Sequence, residues 1–119
     1  MISREIQERY LVDTLDIRLG GLAADLARIV SFSQNVRAVQ SVEGLLDESR
    51  YFIELSAPDL LPDRVDDAAR LVEIQRGLTH WYFNWATVQN DTTQRAKLAA
   101  QAQQWSDEVL KMSGLLDQE

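Results

Sequence analysis

The stretch VDTLDIRLGGLAADLARI, residues 12–29, decides the fold class of this chain. Its apolar residues recur at alternating spacings of three and four: Val12, Leu15, Leu19, Leu22, Leu26 and Ile29. That spacing lays one apolar stripe along an α-helix, whereas a half-buried β-strand would alternate at every second residue. The stretch therefore predicts a long amphipathic helix, which we place from about Arg4 to Ser31.

Gly20 and Gly21 stand inside this pattern, away from its apolar stripe. Two adjacent glycines cost about 2 kcal/mol relative to two alanines in a helix, so the pair marks the point where this helix would break. We favour a continuous helix because the stripe keeps its register across the pair. The alternative is a break at Gly20-Gly21, which would add one helix to the fold.

Three more helices are predicted downstream. After an interruption at Ser33-Gln34-Asn35, the second helix runs to about Ser56, where APDLLPD (57–63) ends it, because a residue before proline avoids the helical conformation. The third helix runs from about Pro62 to Gln89, and the turn NDTT (90–93) separates it from the fourth. The fourth helix ends near Ser113-Gly114, where glycine suits the residue that follows a helix.

The third helix carries two neighbouring apolar seams, as expected for a helix that contacts neighbours on two sides. One seam is Val65, Ala68, Val72, Gln75, Thr79 and Tyr82, and the other is Leu71, Ile74, Leu78, Trp81, Trp85 and Val88. Long amphipathic helices with short connections are typical of an antiparallel four-helix bundle. We therefore expect an all-α fold, with five helices if the first breaks, in a single domain of residues 1–119.

Composition excludes several classes of function. The chain has no cysteine, which rules out a disulfide framework and a thiolate zinc site. Its net charge of −7, from 12 basic and 19 acidic side chains, repels phosphate backbones, so nucleic acid is not an expected partner. Since no apolar run is long enough for a membrane span or a signal peptide, we expect a soluble, cytoplasmic protein without a membrane partner.

Glu73, Arg76 and His80 are spaced by three and four, so they share one side of the third helix. One interpretation is a ligand-binding or enzymatic bundle in which a carboxylate assists a histidine base. The other is a solvated polar face. The chain contains no phosphate-binding loop, dinucleotide motif, nucleophile elbow or Glu-x-x-His pair, so we expect no catalytic residue, no metal and no cofactor.

The segment Trp81-Tyr82-Phe83-Asn84-Trp85 brings four aromatic side chains into five consecutive positions. At 100° per residue these side chains span roughly 200° of the helix circumference, more than one core face takes up. Tryptophan, tyrosine and arginine are enriched at the hot spots of protein interfaces. We predict that Trp81, Phe83 and Trp85 bind a protein partner or a peptide tail, together with Tyr51 and Leu55 of the second helix. The alternative is that Phe83 merely covers the core.

Ile6, Tyr10 and Ile17 recur at helical spacing on the first helix, roughly opposite Leu15 and Leu22. A helix that is apolar on both faces lies between two layers, and a four-helix monomer supplies only one of them. The three residues therefore predict a homo-oligomer interface, so a purely structural oligomer is a further alternative. The alternative is that the first helix breaks at Gly20-Gly21 and its first segment packs on the rest of the chain in another orientation.

The segment DESRYFIE (47–54), followed by Ala57-Pro58, resembles part of a group of short helical cyanobacterial proteins of mostly unknown role. QWS (104–106) and MSGLL (112–116) resemble the C-terminal end of the same proteins. Small helical cyanobacterial proteins include chaperone-like factors that assist assembly of the carboxysome shell. The resemblance covers about a third of the chain. It implies a non-catalytic protein-interaction module, acting as an adaptor or assembly chaperone.

Overall fold

The computed structural model describes residues 2–117, and every regular element in that range is helical. The helices are α1 (Arg4–Val12), α2 (Leu15–Ser33), α3 (Val39–Ser56), α4 (Val65–Phe83), α5 (Trp85–Val88) and α6 (Thr92–Ser113). Two short 3₁₀ turns cover Ala57–Leu60 and Leu115–Asp117. The all-α class is confirmed, but the expected count of four or five helices is wrong for these residues. The predicted domain of residues 1–119 includes Met1, Gln118 and Glu119, which lie outside the described residues.

The first predicted helix is broken, although not at its glycine pair. Asp13 and Thr14 are extended, with ψ angles of 155° and 161°, and they separate α1 from α2. Aspartate and threonine are poorer helix formers than alanine, and their short polar side chains favour helix ends. Val12, which the apolar stripe assigns to the core, is 84% exposed as a result. Gly20 and Gly21 lie within α2, so a continuous helix through Asp13 and a break at the glycines are both wrong.

The third predicted helix is also divided, at Asn84. The side-chain amide of Asn84 donates a hydrogen bond of 2.8 Å to the His80 carbonyl at the end of α4. Such side-chain bonds compete with the helical backbone pattern and favour a helix end. The apolar seam nevertheless continues across the break, because both Trp81 and Trp85 remain buried.

Neighbouring long helices run in opposite directions. Between α2 and α6, Ser106 bonds to the Ala23 carbonyl while Arg95 bonds to that of Ser33. Between α4 and α6, Arg70 pairs with Glu108, and Trp81 bonds to Gln101 nearer the other end. Between α3 and α4, Gln75 bonds to the Arg50 carbonyl, while Trp85, just after α4, bonds to that of Val39. The bond from Arg18 to the Leu55 carbonyl joins the start of α2 to the end of α3. One buried apolar cluster draws on all six helices.

The guanidinium group of Arg95 joins three segments at one end of this arrangement. It donates hydrogen bonds to the carbonyls of Phe32, Ser33, Asn35, Val36 and Gln89. Arg95 is only 2% exposed, and its guanidinium carbon lies 5.2 Å from the Trp85 ring centroid. The carbonyls of Phe32 and Ser33 belong to the C-terminus of α2, where the helix dipole favours a positive charge. The buried charge is therefore compensated by carbonyl dipoles.

We expect Arg95→Met to lower the free energy of unfolding by about 3 kcal/mol or more, because it leaves several buried carbonyls without a donor. Denaturant unfolding followed by circular dichroism measures the change. Arg4→Met is the matched control, since Arg4 is an exposed residue that pairs with Glu8 of its own helix. This control is expected to stay within about 0.5 kcal/mol of wild type. Equal effects of the two substitutions would contradict the assigned role of Arg95.

Candidate functional site

The structure separates the five residues predicted to bind a partner. Trp81 and Trp85 are buried, and their indole N–H groups donate to Gln101 Oε1 at 2.6 Å and to the Val39 carbonyl at 3.0 Å. Tyr51 and Leu55 are half-buried against the core. Phe83 is 72% exposed. Of these five side chains, Phe83 therefore offers the most surface to a partner.

Arg50 of α3 contacts two aromatic residues at the end of α4 and one on its own helix. Its guanidinium carbon lies 4.8 Å from the Tyr82 ring centroid, 5.3 Å from that of Phe83 and 5.9 Å from that of Tyr51. Bonds to Asp47 (2.9 Å) and to the Thr79 hydroxyl (3.0 Å) hold the guanidinium in place. Arginine over aromatic rings forms a cation–π contact, which fixes the rings as well as the charge. Tyr51 and Phe83, far apart in sequence, are thus brought into one cluster.

Next to this cluster, three open cavities follow one another across α3, and we call them together the groove. The first, of about 340 Å³, lies beside Tyr82 and is lined by Gln40, Glu43, Gly44 and Asp47. The second, of about 440 Å³, shares Gln40, Gly44 and Asp47 with the first and reaches Ile2, Ile6 and Phe32. The third, of about 390 Å³, shares Ile6 and Glu48 with the second and extends to Tyr10, Asp25 and Phe52. The shared residues place the three cavities side by side from α4 to α1.

Gly44 lies between the first two cavities and has no packing reason to be glycine. A Cβ atom at Gly20 or Gly77 would stand 2.5 Å from Leu115 or Trp105, respectively, so close packing explains both of those glycines. A Cβ atom at Gly44 would meet no atom within 4 Å. Glycine inside a helix costs about 0.5–1 kcal/mol relative to alanine. Nothing in the described chain offsets that cost at Gly44, and its missing side chain leaves the floor of the groove low.

Asp25 lies at the far end of the groove and is 3% exposed. Its Oδ1 accepts a hydrogen bond of 2.7 Å from Arg28, whereas its buried Oδ2 has no hydrogen-bond partner among the described residues. Glu48 of α3 lines the same cavity. Burial and, second, the neighbouring Glu48 carboxylate raise the pKa of Asp25 from 3.8 to about 8, against the opposing effect of Arg28. Asp25 therefore keeps its proton near neutral pH, beside the Glu48 carboxyl group.

The three residues predicted to mediate self-association do not form one exposed surface. Tyr10 is buried, its ring stacked on that of Phe52 at 3.9 Å. Burial raises the pKa of Tyr10 to about 12, and the protonated hydroxyl donates to the Arg18 carbonyl at 2.8 Å. Ile6 is half-buried beside the groove, and Ile17 is 47% exposed on α2. Because the chain breaks at Asp13-Thr14, α1 packs its apolar side against α3 of the same chain, as the stacking of Tyr10 on Phe52 shows. No second copy is needed to cover Tyr10.

Glu73, Arg76 and His80 all lie on the exposed side of α4. Glu73 accepts a hydrogen bond of 2.9 Å from Arg70, and His80 contacts Asn84 and Trp81. None of the cavities described above is lined by these three residues.

No protein-family model, curated protein or solved structure matches the chain. The resemblance to short cyanobacterial proteins accordingly stays a prediction. Among residues 2–117, no helix combines the length and the apolar character needed to cross a bilayer.

Two features of the groove are not apparent from the helical pattern. In the sequence, Gly44 indicates only a position that weakens a helix, as Gly20 and Gly77 do. The three-dimensional packing shows that Gly44, unlike those two, has room for a side chain. Asp25 interrupts an otherwise apolar stretch, LAADLA (22–27). A charged residue type within such a stretch is the sequence feature that could have indicated a buried carboxyl group.

Gly44→Ala and Gly77→Ala form a matched pair of substitutions that tests the open floor of the groove. We expect Gly44→Ala to raise the free energy of unfolding by about 0.5–1 kcal/mol, because the methyl group meets no neighbour. Gly77→Ala is expected to lower it by about 1–3 kcal/mol, because its methyl group would overlap the buried Trp105 ring. Thermal and denaturant unfolding measure both values. Destabilisation by Gly44→Ala would show that the position needs glycine for internal reasons.

The carboxyl pair gives stability a defined pH dependence. Because the pKa of Asp25 is raised on folding, the folded state binds more protons than the unfolded state between about pH 4 and pH 8. The free energy of unfolding of wild type should therefore fall, relative to that of Asp25→Asn, as the pH rises through this window. Between about pH 5 and pH 8, we expect the free energy of unfolding of wild type to fall by on the order of 1–3 kcal/mol relative to that of Asp25→Asn.

Glu43→Gln is the control for this measurement, since Glu43 is an exposed carboxylate on the outer side of α3. Denaturant unfolding at a series of pH values provides the comparison. A pH-independent difference between wild type and Asp25→Asn would contradict the raised pKa of Asp25.

Proposed function

We propose that this chain is a non-catalytic protein-interaction module that holds a peptide segment of a partner protein in the groove across α3. The observation that carries the proposal is the open floor at Gly44, where glycine weakens the helix without serving internal packing. A bound backbone or side chain that passes over α3 would need that space. Peptide segments held in grooves of helical proteins are a recurrent mode of recognition.

The lining of the groove supports a partner segment with apolar and basic side chains. Ile2, Ile6 and Phe32 provide apolar surface in its middle cavity. Carboxylates of Glu43 and Glu48 line it on either side of Gly44, and the chain as a whole carries a net charge of −7. Complementary charge favours encounter with a basic partner and disfavours acidic ones.

The aromatic cluster around Arg50 supports a contact at the α4 end of the groove. Exposed large aromatic residues are enriched at interface hot spots, and Phe83 is held against Tyr82 with ring centroids 5.3 Å apart. An anchor that is already ordered loses little conformational entropy when a partner binds. The predicted partner-binding set is accordingly revised: Phe83 and Tyr51 keep that proposed role, while Trp81 and Trp85 support the surface from inside.

Several broader features belong to the same proposal. A cytoplasmic adaptor or assembly chaperone, the role implied by the cyanobacterial resemblance, would use such a groove without any catalytic residue. The four long helices α2, α3, α4 and α6 would form an antiparallel four-helix bundle, supported by the opposite directions of neighbouring helices. Homo-oligomerisation through Ile17 is the second candidate, and its support is the exposed apolar side chain.

Selection from a random dodecapeptide library on the immobilised protein tests the proposal. We expect the selected peptides to combine basic and apolar side chains. Gly44→Leu should weaken their binding at least about tenfold, equivalent to about 1.4 kcal/mol, because the new side chain fills the floor of the groove. Phe83→Ser should weaken it as well, through loss of the aromatic anchor.

Matched controls separate the groove from general surface effects. Ala100→Leu introduces the same side chain as Gly44→Leu at an exposed position of α6, and Val12→Ser removes an exposed apolar side chain from α1. Both are expected to bind the peptides like wild type, with circular dichroism confirming that all variants are folded. Equal binding by Gly44→Leu and wild type would place the site elsewhere, and failure to select any peptide would overturn the proposal.

A further inference from the structure

The third cavity of the groove is lined by a buried carboxyl oxygen to which no N–H group or hydroxyl of the described residues donates. This atom is Asp25 Oδ2, whose polar neighbour there is the Glu48 carboxyl group, to which a protonated Asp25 can hydrogen-bond. A buried oxygen without a donor costs about 1–3 kcal/mol, so such atoms call for a specific explanation. Glu48 lines the same cavity from α3, which brings two carboxyl groups together there.

We propose that this cavity binds an alkylammonium group between Asp25 and Glu48, supplied by a lysine side chain of the segment held in the groove. For the source of the ammonium group, this inference rests on the proposed function. An ammonium group is compact and carries three donors, so it can bond to Asp25 Oδ2 and Glu48 at once. Its binding replaces the proton that the carboxyl pair otherwise keeps.

The rest of the lining suits the alkyl chain that carries the ammonium group. Ile6, Ala24 and Phe52 line the cavity and provide apolar contacts for methylene groups. The Tyr10 ring, stacked on Phe52, adds an aromatic face beside the carboxylates. Lysine commonly places its stem along apolar surface while its charge is bound at the tip.

The charges around the cavity favour one added cation. Asp13, Asp25 and Glu48 line it together with Arg9 and Arg28. Arg28 is bonded to Asp25 Oδ1, and Arg9 is bonded to Glu5 at 2.8 Å. With Asp25 protonated, two guanidinium groups face two carboxylates, so a bound ammonium group takes the place of the Asp25 proton. Among residues 2–117, no three histidine or acidic side chains are grouped as metal ligands, which favours an organic cation.

The first test uses n-butylammonium, which reproduces a lysine side chain, with n-butanol as its uncharged counterpart. Titrations followed by NMR should shift resonances of Tyr10, Asp25 and Phe52 for the cation alone. Asp25→Asn and Glu48→Gln should each weaken binding at least about tenfold. The Glu54→Gln control should leave it unchanged, because Glu54 is an exposed carboxylate of α3 that lines none of the three cavities.

The pH dependence gives an independent readout. Because n-butylammonium displaces a proton from the carboxyl pair, its dissociation constant should fall by at least about tenfold between pH 6 and pH 9 in wild type. The probe itself stays charged across this range, since primary alkylamines titrate near pH 10.4. Equal binding of n-butanol, or unchanged affinity in Asp25→Asn, would overturn the proposal.

A second arm connects the cavity to the peptides selected above. Replacing their lysines by norleucine should weaken binding to wild type and have little effect on binding to Asp25→Asn, as in a double-mutant cycle. Peptides that bind through Gly44 without this coupling would refute the ammonium site and leave the proposed function intact. Binding of n-butylammonium without any peptide binding would refute the proposed function, and with it lysine as the source of the cation.

Discussion

The contacts of Arg95 with backbone carbonyls constrain the whole arrangement of helices. Because one guanidinium group bonds to the end of α2, the following loop and the carbonyl of Gln89, it fixes where α3 can begin and where α6 starts. The antiparallel pairing of α2 with α6 then extends from Arg95 to Ser106, whose hydroxyl bonds to the Ala23 carbonyl. With α2 and α6 fixed, α3 and α4 pack against them, and the outer face of α3 is left uncovered. The groove is thus a consequence of how the four long helices pack on one another.

The uncovered face of α3 combines features that the fold itself does not require. Gly44 leaves the floor of the groove open where the first two cavities meet, and the Arg50 cluster holds Phe83 although that ring is exposed. At the other end, Asp25 is buried beside Glu48, and its raised pKa keeps it protonated near neutral pH. Each feature costs stability or leaves apolar surface in water, and all of them lie in or beside the groove. Their shared location is the reason to treat α3 as the functional face.

Helical periodicity predicts much of this fold, because the buried stripe of each long helix follows from local spacing alone. Leu19, Leu22, Leu26 and Ile29 are all fully buried, as their pattern requires. The same reasoning failed at Val12, since a regular stripe carries no information about the extended residues Asp13 and Thr14. It also could not tell buried Trp81 and Trp85 from exposed Phe83, because that difference depends on the break at Asn84. The open space at Gly44 depends on neighbours distant in sequence, which spacing does not describe.

The short length of α1 links the groove to the stability of the N-terminal segment. A helix of nine residues does not persist alone in water, so α1 depends on the packing of Tyr10 against Phe52. Ile6, Arg9 and Tyr10 of this helix form one wall of the third cavity. Local unfolding of α1 removes that wall, and a segment seated against it opposes the unfolding by mass action. If the proposed segment binds, occupancy of the groove should increase the protection of the α1 amides from hydrogen exchange.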